Sequence, residues 1–239
     1  MKKAAILAAG EGSRLKSIAN FKPLANINGT PLLELTLQNL HFHEFSSTHI
    51  IFNHEEKSMD MKKLPSLMQR HIHYFFKSTP SSMHSLYEVS KKLKLIPGEH
   101  FFVSMVDSIV SPDDARKFLK FCSTLSPEES AILVTKYIDD EKPLTLKADS
   151  EGYVRKFQCS VDPDTFITSG VYFFSSNIFP PLEEMVKTGQ DKMRNFLTNL
   201  IEKKYRIRIF EVHKTLDIDR PEDILSASEF LKGMKNAEN

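Results

Sequence analysis

Short apolar runs alternate with helical periodicities through the first half of the chain. Lys3–Ala8, Thr48–Asn53, Ile72–Phe76 and Phe101–Val106 are apolar or β-branched stretches of strand length. Between them, Leu32, Leu33, Leu35, Leu37 and Leu40 make a broad apolar face behind Thr30-Pro31, which reads as an N-cap and an N1 proline. Met83, Leu86, Val89 and Leu93 recur at helical spacing behind Ser81-Ser82. Ser-Pro-Asp-Asp at 111–114 opens a third helix with acids in its first turn. Strands separated by helices imply right-handed crossovers and a mostly parallel sheet covered on both faces. Pro65 interrupts any long helix across 57–67.

The pattern changes after Ser130. Ala131–Tyr137 and Leu144–Phe157 read as strands, the latter folded on itself at Asp149-Ser150-Glu151-Gly152, where glycine supplies positive φ. A strand at Ser169–Phe174, helices near 177–187 and 192–203, a strand at Arg206–Val212 and a helix from Pro221 complete the chain. With no repeat or linker, one continuous domain over 1–239 is expected, with a small antiparallel lobe in its second half.

Composition narrows the function classes. A net charge of +1 argues against a general polyanion binder, so no nucleic-acid partner is expected. No apolar run approaches the ~20 residues of a membrane helix. The run Ala4–Ala9 is shorter than the roughly 7–15 residues of a secretory h-region. Cys122 and Cys159 form no CxxC unit and read as free thiols of a cytoplasmic protein. The pairs His41/His43 and His71/His73 read as polar surface rather than a zinc site.

Chemistry concentrates behind the first strand. Gly10 and Gly12 in Gly-Glu-Gly-Ser-Arg allow a ligand to approach the backbone at the carboxyl edge of the sheet. Leu15 stands where a dinucleotide fingerprint needs its third glycine, and no Gly-Lys-Ser/Thr triplet exists. Arg14 and Lys22, the latter restricted to an extended backbone by Pro23 and read as lying in a polar loop, can neutralise a triphosphate. Asp107 ends an apolar strand, and Asp217 and Asp219 sit in Leu-Asp-Ile-Asp before the last helix. Asp217 is preferred to Asp219 as a metal ligand, on the grounds that the two face opposite sides and that Asp219 can cap the helix.

The segments LAAGEGSRL…KPL, VSMVDS, TSGVYFF and LDIDRPEDILSA, in this order, resemble the nucleotidyltransferase (NTP-transferase) superfamily over Ile6 to about Ala227. That superfamily includes sugar-phosphate nucleotidyltransferases, phosphocholine and inositol-phosphate cytidylyltransferases and molybdenum-cofactor guanylyltransferases. The resemblance implies a Rossmann-like three-layer α/β/α fold with a mostly parallel mixed sheet. It also implies Mg²⁺-dependent transfer of NMP from a nucleoside triphosphate to a phosphorylated small-molecule acceptor, with release of pyrophosphate. Carried over, Ala8, Ala9, Gly10, Gly12, Ser13 and Ser81 contact the nucleotide, Arg14 and Lys22 hold phosphates, and Asp107 with Asp217, and with Asp219 in some members, binds the metal. The nucleotide part then covers about 1–125 and the acceptor lobe about 126–227. Two alternatives stay open: a molybdenum-cofactor-type transferase, or a catalytically silent nucleotide-binding module. Val106-Asp107 stands where many members have Gly-Asp, and the Glu-Lys-Pro at Glu141–Pro143 precedes the hairpin instead of following it, so it is read as accidental. The base, the acceptor and any oligomeric state are left open.

Overall fold

The computed structural model describes residues 3–41, 44–138 and 143–237. His43 and Glu141-Lys142 therefore lie outside the described residues. In chain order the elements begin with β1 (Lys3–Ala8), a hairpin of β2 (Asn26–Ile27) and β3 (Thr30–Pro31), α1 (Leu32–Asn39), β4 (Ser47–Phe52), β5 (Ile72–Phe76) and α2 (Ser82–Leu93). β6 (His100–Met105), β7 (Ser108–Ile109), α3 (Pro112–Cys122), β8 (Glu129–Thr135), β9 (Thr145–Ala148), β10 (Val154–Phe157) and β11 (Phe166–Ser175) follow. The chain closes with α4 (Phe179–Lys187), α5 (Met193–Glu202), β12 (Arg206–Val212), β13 (Leu216–Asp217) and α6 (Pro221–Ala237).

The main sheet runs β10-β9-β11-β6-β1-β4-β5, with β8 paired to β11 and β12 to β8. β5, β4, β1 and β6 are mutually parallel, and β11 enters antiparallel against β6. β1 shows how sequence makes the layers. Successive side chains of a strand point to opposite faces. Ala4, Ile6 and Ala8 accordingly join one core with α1 and α3, while Ala5, Leu7 and Ala9 join the other with α2, α4 and α5. A run apolar at every position is what a strand buried on both faces requires.

A third cluster matters most for the site. Leu15, Ala25, Ile27, Leu32, Ile109, Leu216, Ile218 and Ala227 pack together. They join the segment after β1, the β2–β3 hairpin, β7 and α6. Leu15, Ile27 and Ile218 are fully buried, each contributing about 1.5–3 kcal/mol of apolar burial.

One local expectation needs revision. Thr30-Pro31 is a strand rather than an N-cap followed by an N1 proline, because Asn28 and Gly29 both take positive φ and turn the chain into a hairpin. Pro31 occupies the cap position of α1 without a side-chain hydrogen bond. The unassigned stretch 57–67 is covered by short 3₁₀ turns at His54–Ser58, Met61–Lys63 and Pro65–Met68. The hairpin at Asp149–Gly152 forms as read, with Gly152 at φ 81°. Among the described residues, no helix is long and apolar enough to cross a membrane. Neither Cys122 nor Cys159 forms a disulfide among the described residues.

Candidate active site

The parallel register of β1 with β6 pairs Leu7 with Met105, so the residues just beyond, Ala9 and Asp107, leave the sheet side by side. This is the carboxyl edge of the strands, where open α/β sheets leave a ligand crevice. A cleft of about 420 Å³ opens there, lined by Ala9, Gly10, Gly12, Ser13, Arg14, Lys22, Ser81, Asp107 and Asp219. Ala8 is not on its wall: the side chain is packed into the α1/α3 core, as strand alternation from Ala9 demands.

Asn53, the residue after β4, supports the glycine loop from the neighbouring strand. Its Nδ2 donates to the Ala9 carbonyl at 3.1 Å, and its Oδ1 accepts from Ser78 Oγ at 2.9 Å. Glu56 Oε2 accepts from the Asn53 backbone N–H at 2.8 Å, completing a capping box. Burial pushes the Glu56 carboxyl up to about 7, against the lowering effect of that hydrogen bond.

Lys22 is the centre of the site. It is buried, with 8% of its side chain exposed, and it opens a 3₁₀ turn at Lys22–Leu24, which corrects its reading as a loop cation on an extended backbone; the extended residue is Phe21. Its Nζ donates to Asp107 Oδ2 at 2.5 Å and to Asp219 Oδ1 at 2.7 Å. Arg14 Nη2 donates to the other oxygen of Asp219 at 3.2 Å. Burial opposes the Lys22 charge, but Asp107 and then Asp219 outweigh it and hold the ammonium well above its usual range. At Asp219 burial opposes ionisation, and Lys22 with Arg14 overrides it, keeping the carboxyl below its ordinary value. Gly12 makes this possible. It sits at φ 55°, and a Cβ there would lie 2.7 Å from Lys22 Cβ.

The C-terminal segment reaches the site through β13, which pairs antiparallel with β7 so that Asp217 lies opposite Ser108. Ile218 N donates to the Asp107 carbonyl at 3.0 Å. Both grounds for ranking Asp217 above Asp219 fail. Positions two apart on an extended segment share a face, and both aspartates line a second cleft of about 510 Å³ beside Asp107. Nor does the Asp219 carboxylate cap α6. Asp223, in the first turn of α6, instead reaches back, its Oδ2 accepting from the N–H groups of Asp219 at 2.8 Å and Arg220 at 2.7 Å, just ahead of the helix. Asp219 is thereby left to Lys22 and Arg14. Asp217 instead accepts from Ser108 Oγ at 3.3 Å.

The second cleft brings in residues to which the sequence patterns gave no role in the site. Thr168 and Gly170 come from β11, and Lys192 and Arg194 from the start of α5. β11 bulges between Thr168 and Tyr172. Gly170, within the bulge, has φ 73°, and an added Cβ would meet Ser108 Oγ at 2.3 Å. The signal was present in Ser-Gly-Val, a glycine inside a strand, but its partner is 62 residues away.

Residues 4–204 match the family described as the MobA-like NTP transferase domain. The chain belongs to this family. A curated relative, the bifunctional sugar-1-phosphate nucleotidylyltransferase/acetyltransferase of Sulfurisphaera tokodaii, is 24% identical over 95% of the chain. The chain spans only 55% of that relative's length. Among solved structures, the inositol-1-phosphate CTP transferase of T. maritima superposes with a TM-score of 0.75 at 20% identity, covering 96% of each chain. A UDP-glucose pyrophosphorylase complexed with UDP-glucose gives 0.77 at 16% identity, over 98% of this chain and 99% of the other. These likenesses establish the α/β nucleotidyltransferase fold.

Mg²⁺ is the cation such a family implies, and the donor set fits it. Two hard carboxylates, Asp107 and Asp219, converge on one cationic centre within hydrogen-bonding distance. Among the described residues no cluster of three or more metal-ligating side chains occurs. Magnesium needs no such cage, since it is commonly held by one or two carboxylates plus substrate phosphates.

Proposed function

We propose that this NTP-transferase-family protein transfers a nucleotidyl group from a nucleoside triphosphate to a phosphorylated small-molecule acceptor, with Mg²⁺ as cofactor and pyrophosphate released. The observation that carries the reading is the buried Lys22 ammonium between Asp107 and Asp219, at the mouth of the glycine loop. Gly10, Gly12 and Ser13 offer backbone to the triphosphate in a cleft that Ser81 also lines. Arg14, exposed at the rim, has a planar fork suited to phosphate. Asp107 and Asp219 would hold Mg²⁺, with Asp217 beside them. The bound cation would supply positive charge between acceptor phosphate and α-phosphate.

We assign the acceptor to the second cleft, which Lys192 and Arg194 line together with the same carboxylates. The nucleotide part then spans about 1–125 and the acceptor lobe about 126–227. Attack of an acceptor oxygen in line with the leaving pyrophosphate asks little covalent chemistry of the protein. Its work is orientation and charge placement.

The test is pyrophosphate release from each of four NTPs against hexose 1-phosphates, inositol 1-phosphate and phosphocholine, with Mg²⁺. Release that requires both one NTP and one acceptor is expected. Nucleotide binding without release for any pair would favour a silent nucleotide-binding module.

A further inference from the structure

We propose that Lys22 is an exchangeable counter-cation. It holds Asp107 and Asp219 together in the nucleotide-free protein, and yields them to a divalent cation when a triphosphate arrives to take the ammonium. The proposal rests on the functional reading above for the identity of the incoming anion.

Three points converge on it. The Lys22 ammonium is buried and contacts both carboxylates, at 2.5 and 2.7 Å, so it sits where a cation shared by those two groups would sit. Two cations cannot share that point without strong repulsion at such short range. The free protein should therefore bind a lone divalent cation weakly, because the cation must first evict an ammonium already bonded to both carboxylates. The third point couples the exchange to the ligand loop. Gly12 is packed against the Cβ of Lys22, and Gly12 and Lys22 line the same cleft. A triphosphate seated on the glycine loop thus lies within the lysine's neighbourhood and offers it a replacement for the carboxylates. Arg14, bonded to the outer oxygen of Asp219, can leave in the same way, being exposed at the rim. The consequence is positive coupling: nucleotide strengthens metal binding, and by linkage metal strengthens nucleotide binding.

The experiment measures binding of Mn²⁺ alone, by the loss of its free paramagnetic signal, to nucleotide-free protein. Lys22→Gln removes the internal cation and should bind Mn²⁺ at least about fivefold more tightly than the wild type, the low end of typical coupling between linked sites. Adding Asp107→Asn to Lys22→Gln should abolish that gain. Equal Mn²⁺ affinity in Lys22→Gln and wild type would overturn the exchange. If Lys22→Gln does not fold, the wild type carries the test through its melting temperature. Mn²⁺ with a non-hydrolysable triphosphate should raise it by more than the sum of the two added separately. A full shift from Mn²⁺ alone would overturn the proposal. The pyrophosphate assay separates the two readings. Turnover without a gain in Mn²⁺ binding by Lys22→Gln would overturn the exchange alone. A gain without turnover would overturn the transfer reaction and leave the exchange standing.

Discussion

Gly12 and Lys22 are packed so closely that any side chain at position 12 would collide with the lysine stem, since a Cβ there would lie 2.7 Å from Lys22 Cβ. Gly12→Ala should therefore act twice. The left-handed backbone costs about 1–2 kcal/mol for a residue with a Cβ, and the clash displaces the ammonium from Asp107 and Asp219. A denaturant melt should show the first effect. A loss of pyrophosphate-release activity beyond what the folded fraction explains should show the second.

Removing the cations should have unequal effects. Lys22→Ala leaves Asp107 and the inner oxygen of Asp219 without their shared partner. It should destabilise the fold by about 1–3 kcal/mol and slow turnover by about 10²–10³ as a preorganised charge at a phosphoryl centre is lost. Arg14, largely exposed, should leave stability within about 0.5 kcal/mol when changed to alanine while raising KM for the nucleotide. Chemical denaturation and steady-state kinetics on both variants check the split. Unchanged turnover in both would mean that the phosphate cradle lies elsewhere.

The two carboxylates before α6 can be told apart by metal titration. Asp219→Asn should raise the Mg²⁺ concentration needed for half-maximal turnover at least as much as Asp217→Asn, because Asp219 shares its cation with Asp107. Asp223→Asn should lower stability by about 1 kcal/mol or less, since asparagine still accepts backbone N–H bonds, and leave the Mg²⁺ requirement unchanged. A normal Mg²⁺ profile for Asp219→Asn with an altered one for Asp217→Asn would reverse the assignment.

Stability should depend on pH through Glu56 and Asp219 with opposite signs. The Glu56 carboxyl is raised to about 7 by burial, so the folded state holds its proton more tightly and stability falls as pH rises from the ordinary carboxylate range toward 7. Glu56→Gln should remove that fall, of order 1–3 kcal/mol. Asp219 is lowered, so its contribution is present above the ordinary carboxylate range and is lost as pH falls through the folded value. Asp219→Asn should flatten the acid limb. Unfolding free energies of the three proteins across pH check both signs.

Much of the fold was legible because burial on both faces leaves a direct trace. β1, β5, β12 and the face of α2 formed where apolar runs or helical spacing put them. Thr30-Pro31 misled because a proline suits a helix start and an extended edge equally well. Asn28-Gly29 carried the hairpin signal that should have decided between them.

For the site, local sequence reveals which residues could act: glycines behind a buried strand, a lysine shortly after them, and carboxylates at the ends of apolar runs. Glycine opens backbone and an acid in an apolar context needs a partner, whereas the extended backbone expected for Lys22 before Pro23 gave way to a 3₁₀ turn. Which groups meet was decided only by tertiary structure. The bond from Ile218 N to the Asp107 carbonyl joins positions 111 residues apart, and it brings Asp219 within 2.7 Å of a lysine almost two hundred residues earlier. The turn of Asp223 back onto the N–H groups ahead of α6, the support of Ala9 by Asn53 and the fit of Gly170 against Ser108 are likewise matters of three-dimensional packing. No sequence period encodes them, because a side chain's partner across a sheet is set by strand order and register, whereas local patterns record only which face is buried.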